Sequence, residues 1–500
     1  MRLFSFLTAI VCMLSLSACG DGQDDDIARI AFIGSGADLN TRGVLLSPAE
    51  QHLRAATAEG LVALNAQGQV VPALAERWIV TDDGLSYIFR LRNSDWPDGT
   101  RLDGGNVKAA LERNFAALDD TSLGLDLAIV DDVRAMTGRV IEIRLKSPMP
   151  QFLQLLAQPE LGLLRGRVGT GPMRSEVTGN RAELVPMAPQ DRGLAPDRDW
   201  NAATRRIAIL ALPARDAAEA FDRGDVDAVL NGHLLSLPLT DRGPLARGTV
   251  QLDIVFGLFG LQIANDTGLL ADPLRREALA MAIERASLLE PFGIAGWAPS
   301  NRIVPDGLPS ALTFADDGAA APPASRWPDL TIEARRAQGR SRIAAWVGQG
   351  GARTLTLSLP DRVGAPLFFE ALADDMAEIG VTLQQAAPGA PADLILVDRV
   401  ARYGDPRWFL NQFSCGLRGP RRNALCAPEA DALVARTLTL TDEREQALLL
   451  ARAEEAMLAA NIYIPIGAPV RWSLVRGGFE GFADNPWGLH PLFDMALRPI

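Results

Sequence analysis

The run at residues 72–115 constrains the fold more than any other segment, because it joins two turns to strand and helix patterns. Hydrophobic and aromatic residues on both sides of the polar turn at 82–84 alternate as they do in strands. A second turn at 96–99 leads into apolar residues at helical spacing from about Asn106. The segment therefore predicts a β-hairpin followed by a helix, which together form a compact α/β unit.

Length, composition and charge narrow the class of protein. A chain of 500 residues is too long for one hydrophobic core and indicates two or three domains. A hydrophobic content of 48% with 22% charged residues is typical of a globular protein. The net charge of −12, without any basic aromatic stripe, argues against a nucleic-acid partner.

The N-terminus has the pattern of a targeting segment. Residues 3–16 form an apolar run that is too short to span a bilayer as a stable helix. The run ends in LSACG at 16–20, which resembles a bacterial lipobox, where the signal is cut before the cysteine and the thiol receives a lipid. This resemblance implies a signal peptide at 1–18, a lipidated Cys19 and a tether at 19–26, in a periplasmic protein anchored to the cell envelope. The alternative is an ordinary signal peptide that contains a chance cysteine.

The remaining cysteines are expected to pair. Cys12 would leave with the signal and Cys19 would carry the lipid, which leaves Cys415 and Cys426 in an oxidising compartment. We therefore predict a disulfide between them. The alternative is a zinc site, but no histidine or second cysteine pair lies nearby in the sequence. No metal or other cofactor is expected.

Several blocks in one order carry a family resemblance. They are PALAERW, YIFRLR and WPDGT within residues 72–100, GTGP at 169–172, GDVD at 224–227 and DPLRREALAMAI at 272–283. The series resembles the family 5 extracellular solute-binding proteins of ABC importers, which include peptide, dipeptide and nickel carriers. The matching blocks extend over most of the chain after the targeting segment.

The resemblance implies an α/β fold of two lobes joined by a hinge. This is the periplasmic-binding-protein fold of class II, enlarged by an extra small subdomain in the first lobe. On this basis we expect lobe I at 27–257 with the subdomain at about 50–155, lobe II at 258–477, and a return to lobe I at 478–500. Such lobes close on a ligand by a hinge motion.

The resemblance also implies a function. The protein would be a monomer that captures a small solute, peptide or peptide-like, in the periplasm and delivers it to an ABC permease. The alternative is a signalling or scaffolding lipoprotein that kept the fold and lost transport.

Signs of catalysis are absent from the sequence. His52, His233 and His490 are far apart, and none has metal-ligand spacing. Ser35 lies between two glycines but lacks the G-x-S-x-G pattern of a nucleophile elbow. We therefore expect no enzyme activity.

The block at residues 392–415 is expected to set the ligand class. It resembles the G-W-x-x-D-x-x-D-P pattern of the dipeptide-binding branch, whose first aspartate accepts hydrogen bonds from the α-ammonium group of the substrate. Aligned on Gly-Asp-Pro at 404–406, this chain has Arg399 at the tryptophan position and Arg402 at the aspartate position. A guanidinium cannot accept a hydrogen bond and would repel an ammonium, whereas it suits a carboxylate or phosphate. The sequence therefore predicts an anionic ligand, or a peptide held in another way.

The alternatives at this block stay open. Arg402 could instead pair with Asp398 or Asp405 and contact no ligand. Asp405 is a candidate ligand contact, although it also fits a structural turn.

Four further candidates depend on family geometry alone. Ser35 and Asp38 lie in the loop that follows the first strand, which faces the cleft in the family. Trp297 and Trp408 are candidate walls of the cleft, and each tryptophan could equally belong to a core.

Overall fold

The computed structural model describes residues 26–40, 44–166, 168–241, 248–294, 296–297, 299–308, 326–418 and 423–498. The predicted signal peptide, Cys19 and nearly all of the predicted tether lie outside these residues. Among the described residues, no helix combines the length and the apolar character needed to cross a membrane.

The α-helices of the described residues are α1 Pro48–Thr57, α2 Gly104–Leu118, α3 Ser122–Leu127, α4 Phe152–Leu156, α5 Trp200–Ala203, α6 Ala214–Arg223, α7 Pro273–Ala282, α8 Arg285–Leu288, α9 Ile332–Gly348, α10 Ala365–Ala377, α11 Pro406–Asn411, α12 Pro428–Thr437, α13 Glu443–Ala460 and α14 Leu492–Met495.

The strands are β1 Ile27–Ile33, β2 Val62–Leu64, β3 Val70–Pro72, β4 Ala75–Val80, β5 Ser86–Leu91, β6 Val130–Ala135, β7 Val140–Leu145, β8 Leu164–Arg165, β9 Val168–Gly169, β10 Met173–Thr178, β11 Arg181–Pro186, β12 Arg206–Leu212, β13 Ala228–His233, β14 Val250–Ile254, β15 Gly257–Ile263, β16 Thr354–Ser358, β17 Thr382–Gln385, β18 Leu394–Val400, β19 Tyr463–Gly467 and β20 Val470–Val475.

The first lobe is built on a seven-stranded sheet in the order β10-β11-β12-β1-β13-β20-β14. Strands β12, β1 and β13 run parallel, and the flanking strands are antiparallel. Helices cover both faces, since Ile30 and Phe32 share a core with Leu53 of α1, whereas Ala31 packs in a second core with Phe221 of α6. Alternate residues of one strand thus serve two cores, which explains why β1 is apolar almost throughout.

The second lobe is built on a five-stranded sheet in the order β17-β16-β18-β15-β19. Helices α7 and α10 pack on it, and the rings of Phe259 in β15 and Phe368 in α10 meet edge to face at 5.7 Å between centroids. Two crossings join the sheets, because β14 leads into β15 through residues 255–256 and β19 into β20 through 468–469.

The position of the return crossing differs from the expectation. Residues up to 477 were assigned to lobe II, but β20 pairs with β13 and β14 in the first sheet. Strand β20 alternates apolar residues with Arg471 and Ser473 and is buried throughout, and neither feature indicates which sheet it joins. Sequence pattern alone therefore could not assign this strand to a lobe.

We assign the small subdomain to residues 75–161 instead of the expected 50–155, because Leu53 of α1 packs on the sheet of lobe I and Leu161 belongs to the subdomain core. It holds the hairpin and helix predicted from the sequence, which are β4, β5 and α2. Its antiparallel sheet has the order β4-β5-β7-β6, and Phe89, Leu111 and Ile141 are buried in its core. That core continues without a break into helices α11, α12 and α13 of the second lobe. The subdomain therefore packs directly against lobe II, a contact that the sequence did not indicate.

Candidate functional site

A cavity of about 270 Å³ lies where the two lobes and the subdomain meet. Its lining includes His233 and Arg471 from the first lobe, Ser122 and Glu160 from the subdomain, and Arg399 and Arg402 from the second lobe. The cavity is thus enclosed by parts that are far apart in sequence. A hinge motion of the lobes would change the size of this cavity.

Arg402 joins the second lobe to the subdomain. Its Nε donates to Oε1 of Gln158 at 2.8 Å, and its Nη2 lies 2.5 Å from Oε2 of Glu160. The alternative pairings with Asp398 or Asp405 are therefore wrong, because the partner is a carboxylate 242 residues earlier in the chain. The Glu160 side chain is only 2% exposed, whereas that of Arg402 is 20% exposed and lines the cavity.

Arg399 and Trp408 line the same cavity. Nη1 of Arg399, near the end of β18, donates to Oε1 of Gln412 at 3.2 Å. The ring of Trp408 in α11 packs edge to face with the ring of Phe409 and lines the cavity. Within the described part of the chain, the Trp408 indole N–H makes no hydrogen bond.

Asp405 has a structural position. It caps the N-terminus of α11, where its Oδ1 accepts from the backbone N–H of Arg407 at 2.8 Å. The Arg407 guanidinium also lies against the same carboxylate, and both residues are buried. Asp405 is not among the described residues that line the cavity.

Ser35, Asp38 and Trp297 lie away from this cavity. Oδ2 of Asp38 accepts from the backbone N–H of Ser35 at 2.7 Å and from its hydroxyl at 2.9 Å, which closes a local turn. Trp297 lines another cavity of about 370 Å³ beside the two crossings, and its Nε1 donates to the carbonyl of Ala468 at 2.9 Å. The structure thus brings Arg399, Arg402 and Trp408 together, but not these three.

An ion-pair cluster that the sequence did not indicate spans the lobes beside the cavity. Oδ2 of Asp398, in lobe II, is 2.9 Å from Nδ1 of His233, and its Oδ1 accepts from Nη1 of Arg471 at 2.7 Å. Burial, together with the charge of Arg471, lowers the pKa of His233 to about 4. Burial alone would raise the pKa of Asp398, but Arg471 and His233 outweigh it and hold that pKa well below its usual range.

His233 is the last residue of β13, a strand that begins with buried apolar residues, and that position was the one available signal of its role. A polar residue at the carboxyl end of a buried parallel strand lies where α/β sheets bind ligands. Asp398 and Arg471 belong to distant strands, so nothing local marked them as its partners.

His52 is a second histidine that lines the cavity, and it is buried. Its Nδ1 lies 2.7 Å from the carbonyl of Pro48, and its Nε2 accepts from the backbone N–H of His490 at 3.2 Å. Burial lowers the pKa of His52 to about 3, so this imidazole is neutral at physiological pH.

A buried polar network lies between α3 of the subdomain and α11. Oδ1 of Asp126 accepts from Nδ2 of Asn411 at 2.8 Å, and its Oδ2 accepts from the Tyr403 hydroxyl. Burial raises the pKa of Asp126 to about 7, and the charge of Asp405 acts in the same direction. This carboxyl therefore titrates near neutral pH, within the contact of subdomain and lobe II.

The structure contains the disulfide expected between Cys415 and Cys426. Asp431 of α12 accepts from the backbone N–H of Cys415 at 2.8 Å, which fixes the bridge to the helix that follows it. In the parts of the chain that the structure describes, no group of three or more His, Cys, Asp or Glu residues could hold a metal ion.

Comparisons with known proteins agree with this architecture. The chain is 23% identical over 487 residues to the probable di/tripeptide-binding protein 5 of Pseudomonas aeruginosa, a match that covers 86% of this chain and 88% of the relative. The solved structure of the Escherichia coli murein tripeptide binding protein MppA superposes with a TM-score of 0.77 at 20% identity, over 94% of this chain and 98% of that one.

The unliganded open form of MppA gives a lower TM-score of 0.61, again at 20% identity and over 95% of this chain and 97% of that one. The model of the bacterial extracellular solute-binding proteins, family 5, matches residues 69–419. The chain therefore belongs to the family 5 bacterial extracellular solute-binding proteins, the ligand-capturing components of ABC importers.

Proposed function

We propose that this protein captures a small peptide-like or anionic solute in the periplasm and delivers it to an ABC permease. The observation that carries the proposal is the cavity bounded by both lobes and the subdomain, since a ligand there would touch every part that a hinge motion moves. Lobe closure over such a ligand is what a permease would recognise.

The size of the cavity favours a small solute. A volume of about 270 Å³ lies just below the range for small-molecule sites, roughly 300–1,000 Å³. The name of the Pseudomonas relative points to di- and tripeptides, which are of comparable size. Long peptides would require the lobes to separate further than they do here.

The charge of the cavity favours an anion. Among the described residues of the lining, three arginines, Arg399, Arg402 and Arg471, accompany two carboxylates, Asp398 and Glu160, which leaves one positive charge in excess. Both carboxylates already accept hydrogen bonds from arginines. A free α-ammonium group would therefore meet more repulsion than attraction here, whereas a carboxylate would be attracted.

The remainder of the proposal concerns the cell envelope. The lipobox-like end of the N-terminal segment supports a lipid on Cys19 that holds the protein at a membrane, where we expect it to act as a monomer. Mass spectrometry of the mature protein after expression in a Gram-negative host tests this anchor, and an unmodified thiol at Cys19 would contradict it.

A thermal-shift panel tests ligand capture. The panel contains dipeptides, tripeptides, N-acetylated dipeptides and small inorganic anions. A ligand at 100 times its Kd stabilises by about 2.7 kcal/mol, so a binder is expected to raise the melting temperature by several degrees. If every compound leaves the melting temperature unchanged, the proposal is wrong.

A matched pair of variants assigns any shift to the cavity. Ser122→Phe places a ring in the cavity and is expected to abolish the shift. Ser341→Phe adds the same ring on the exposed face of α9 and is expected to leave the shift intact.

A further inference from the structure

His233 offers a hydrogen-bond acceptor to whatever occupies the cavity. Its Nδ1 faces the ionised Asp398 carboxylate at 2.9 Å, so this nitrogen carries the proton and donates it. Because a neutral imidazole has a single N–H, Nε2 is left with a lone pair. The pKa of His233, lowered to about 4, keeps the ring neutral at periplasmic pH.

The lone pair on Nε2 is unused within the protein. No residue of the described chain donates to it, and the atom is not sealed from solvent, because the His233 side chain is 12% exposed and lines the cavity. Asp398 and Arg471 fix the ring from the opposite side. A rigidly held acceptor of this kind favours a ligand that brings a donor.

Arg402 and Trp408 line the same cavity and present donors to it. Arg402 uses Nε and Nη2 for Gln158 and Glu160, and its Nη1 has no partner among the described residues. The indole N–H of Trp408 is likewise available. The cavity thus contains two donor groups from lobe II and one neutral acceptor from lobe I, which can serve different ends of one ligand.

The donor that meets His233 is expected to be neutral. Nε2 belongs to a neutral ring, and the Asp398 charge behind it is already matched by Arg471 at 2.7 Å. An ammonium would therefore find no unpaired negative charge, while it would lose its hydration. An amide N–H or a hydroxyl loses far less hydration and makes the same hydrogen bond.

We propose that the cavity selects an anion with a neutral N–H or O–H donor and no free ammonium, such as an N-acylated dipeptide. Its carboxylate would lie at Arg402 and Trp408, and its donor would bond to Nε2 of His233. This inference rests on the proposed function and makes it narrower, because it excludes unmodified dipeptides as the preferred ligands.

Calorimetric titration with three kinds of probe tests the inference. The probes are dialanine, N-acetyl-dialanine, and the two singly N-methylated forms of N-acetyl-dialanine, each of which lacks one amide N–H. N-acetyl-dialanine is expected to bind at least tenfold tighter than dialanine. One methylated form is expected to lose about tenfold in affinity, or about 1.4 kcal/mol.

Two substitutions at His233 connect that loss to the imidazole. His233→Asn retains an amide near the position of Nδ1 and removes the acceptor at Nε2, so the sensitive methylated probe and its parent should bind it equally weakly. His233→Gln places an amide oxygen near the position of Nε2 and should recover part of the affinity. The methylation series on the unaltered protein tests the same hydrogen bond even if a variant fails to fold.

Several outcomes would overturn the inference. Tighter binding of dialanine than of its acetylated form, equal affinity of both methylated probes and their parent, or an undiminished methylation effect in His233→Asn would each contradict it. If unmodified peptides bind while acetylated ones do not, the proposed function stands and this inference falls. If nothing in the panel binds, both are wrong.

Discussion

Arg402 of the second lobe and Glu160 of the subdomain form an ion pair at 2.5 Å, in which the carboxylate side chain is 2% exposed. Removing one partner of such a pair leaves a buried charge without compensation, which costs about 3 kcal/mol. Arg402→Met should therefore lower the free energy of unfolding by about this amount at pH 7. Urea denaturation measures the change.

The double variant of the same pair provides a control. Adding Glu160→Gln removes the orphaned charge, so Arg402→Met with Glu160→Gln should be more stable than Arg402→Met alone. The exposed pair of Arg90 and Glu76 is the matched comparison, and Arg90→Met should cost less than about 1 kcal/mol. Equal losses in the free energy of unfolding for Arg402→Met and Arg90→Met would show that the buried pair contributes no more to stability than the exposed pair.

Titration of Asp126 should make the stability of the protein depend on pH. Burial raises its pKa to about 7, above the value of about 4 expected in the unfolded chain, so the native state holds this proton more tightly. The raised pKa of Asp126 therefore stabilises the native state fully below about pH 4, and this contribution is lost as the pH rises through 7. Asp126→Asn should remove this dependence. Between pH 4 and 8, the free energy of unfolding of the variant should therefore rise relative to that of the unaltered protein by up to about 4 kcal/mol.

The groups facing Asp126 keep that comparison specific. Tyr403, Asp405 and Arg407 surround the carboxyl and are identical in both proteins, so the difference between the two pH curves reports position 126. Chemical denaturation at five or six pH values supplies the curves. Parallel curves for the two proteins would mean that Asp126 does not titrate in this range.

Removal of the disulfide should also lower the stability of the protein. The bridge between Cys415 and Cys426 closes a short loop, whose entropy in the unfolded chain corresponds to about 3 kcal/mol. Cys415→Ser with Cys426→Ser should lower the free energy of unfolding by that order. A reducing agent should lower the melting temperature of the unaltered protein but not that of the double variant. An effect on both proteins would show that the reducing agent does not act through this disulfide.

Substitution of Asp398 should change how far the lobes close in the absence of ligand. It is the lobe II residue that accepts from Arg471 and His233 of lobe I, so Asp398→Asn weakens a contact that exists only when the lobes are together. The ligand-free variant should show a larger radius of gyration in small-angle X-ray scattering. Asp393→Asn, which removes a charge bonded within lobe II to Thr356, should leave that radius unchanged.

Local patterns predicted local structure well. The hairpin and helix of the subdomain follow from turn residues and apolar spacing within a few dozen residues, and β4, β5 and α2 confirm them. The pairing of Cys415 with Cys426 required only that two cysteines remain in an oxidising compartment. The family, and with it the two-lobe fold, followed from short blocks in a fixed order.

Long-range contacts explain what the sequence could not predict. The partner of Arg402 is 242 residues away, and the histidine bonded to Asp398 is 165 residues away. Nothing in the residue pattern of β20 indicates which sheet it joins, so the return crossing was predicted too late in the chain. Family geometry alone suggested Ser35, Asp38 and Trp297, and the structure places them outside the cavity that contains Arg402.

The central claim is that the cavity between the lobes holds the transported solute. The most direct measurement is mass spectrometry of small molecules released when the protein, purified from a periplasmic extract and thoroughly washed, is denatured. We predict one solute in about equimolar amount from the unaltered protein and from Ser341→Phe, but little from Ser122→Phe. Equal occupancy in all three proteins, or a solute that remains when the cavity is filled, would contradict the account.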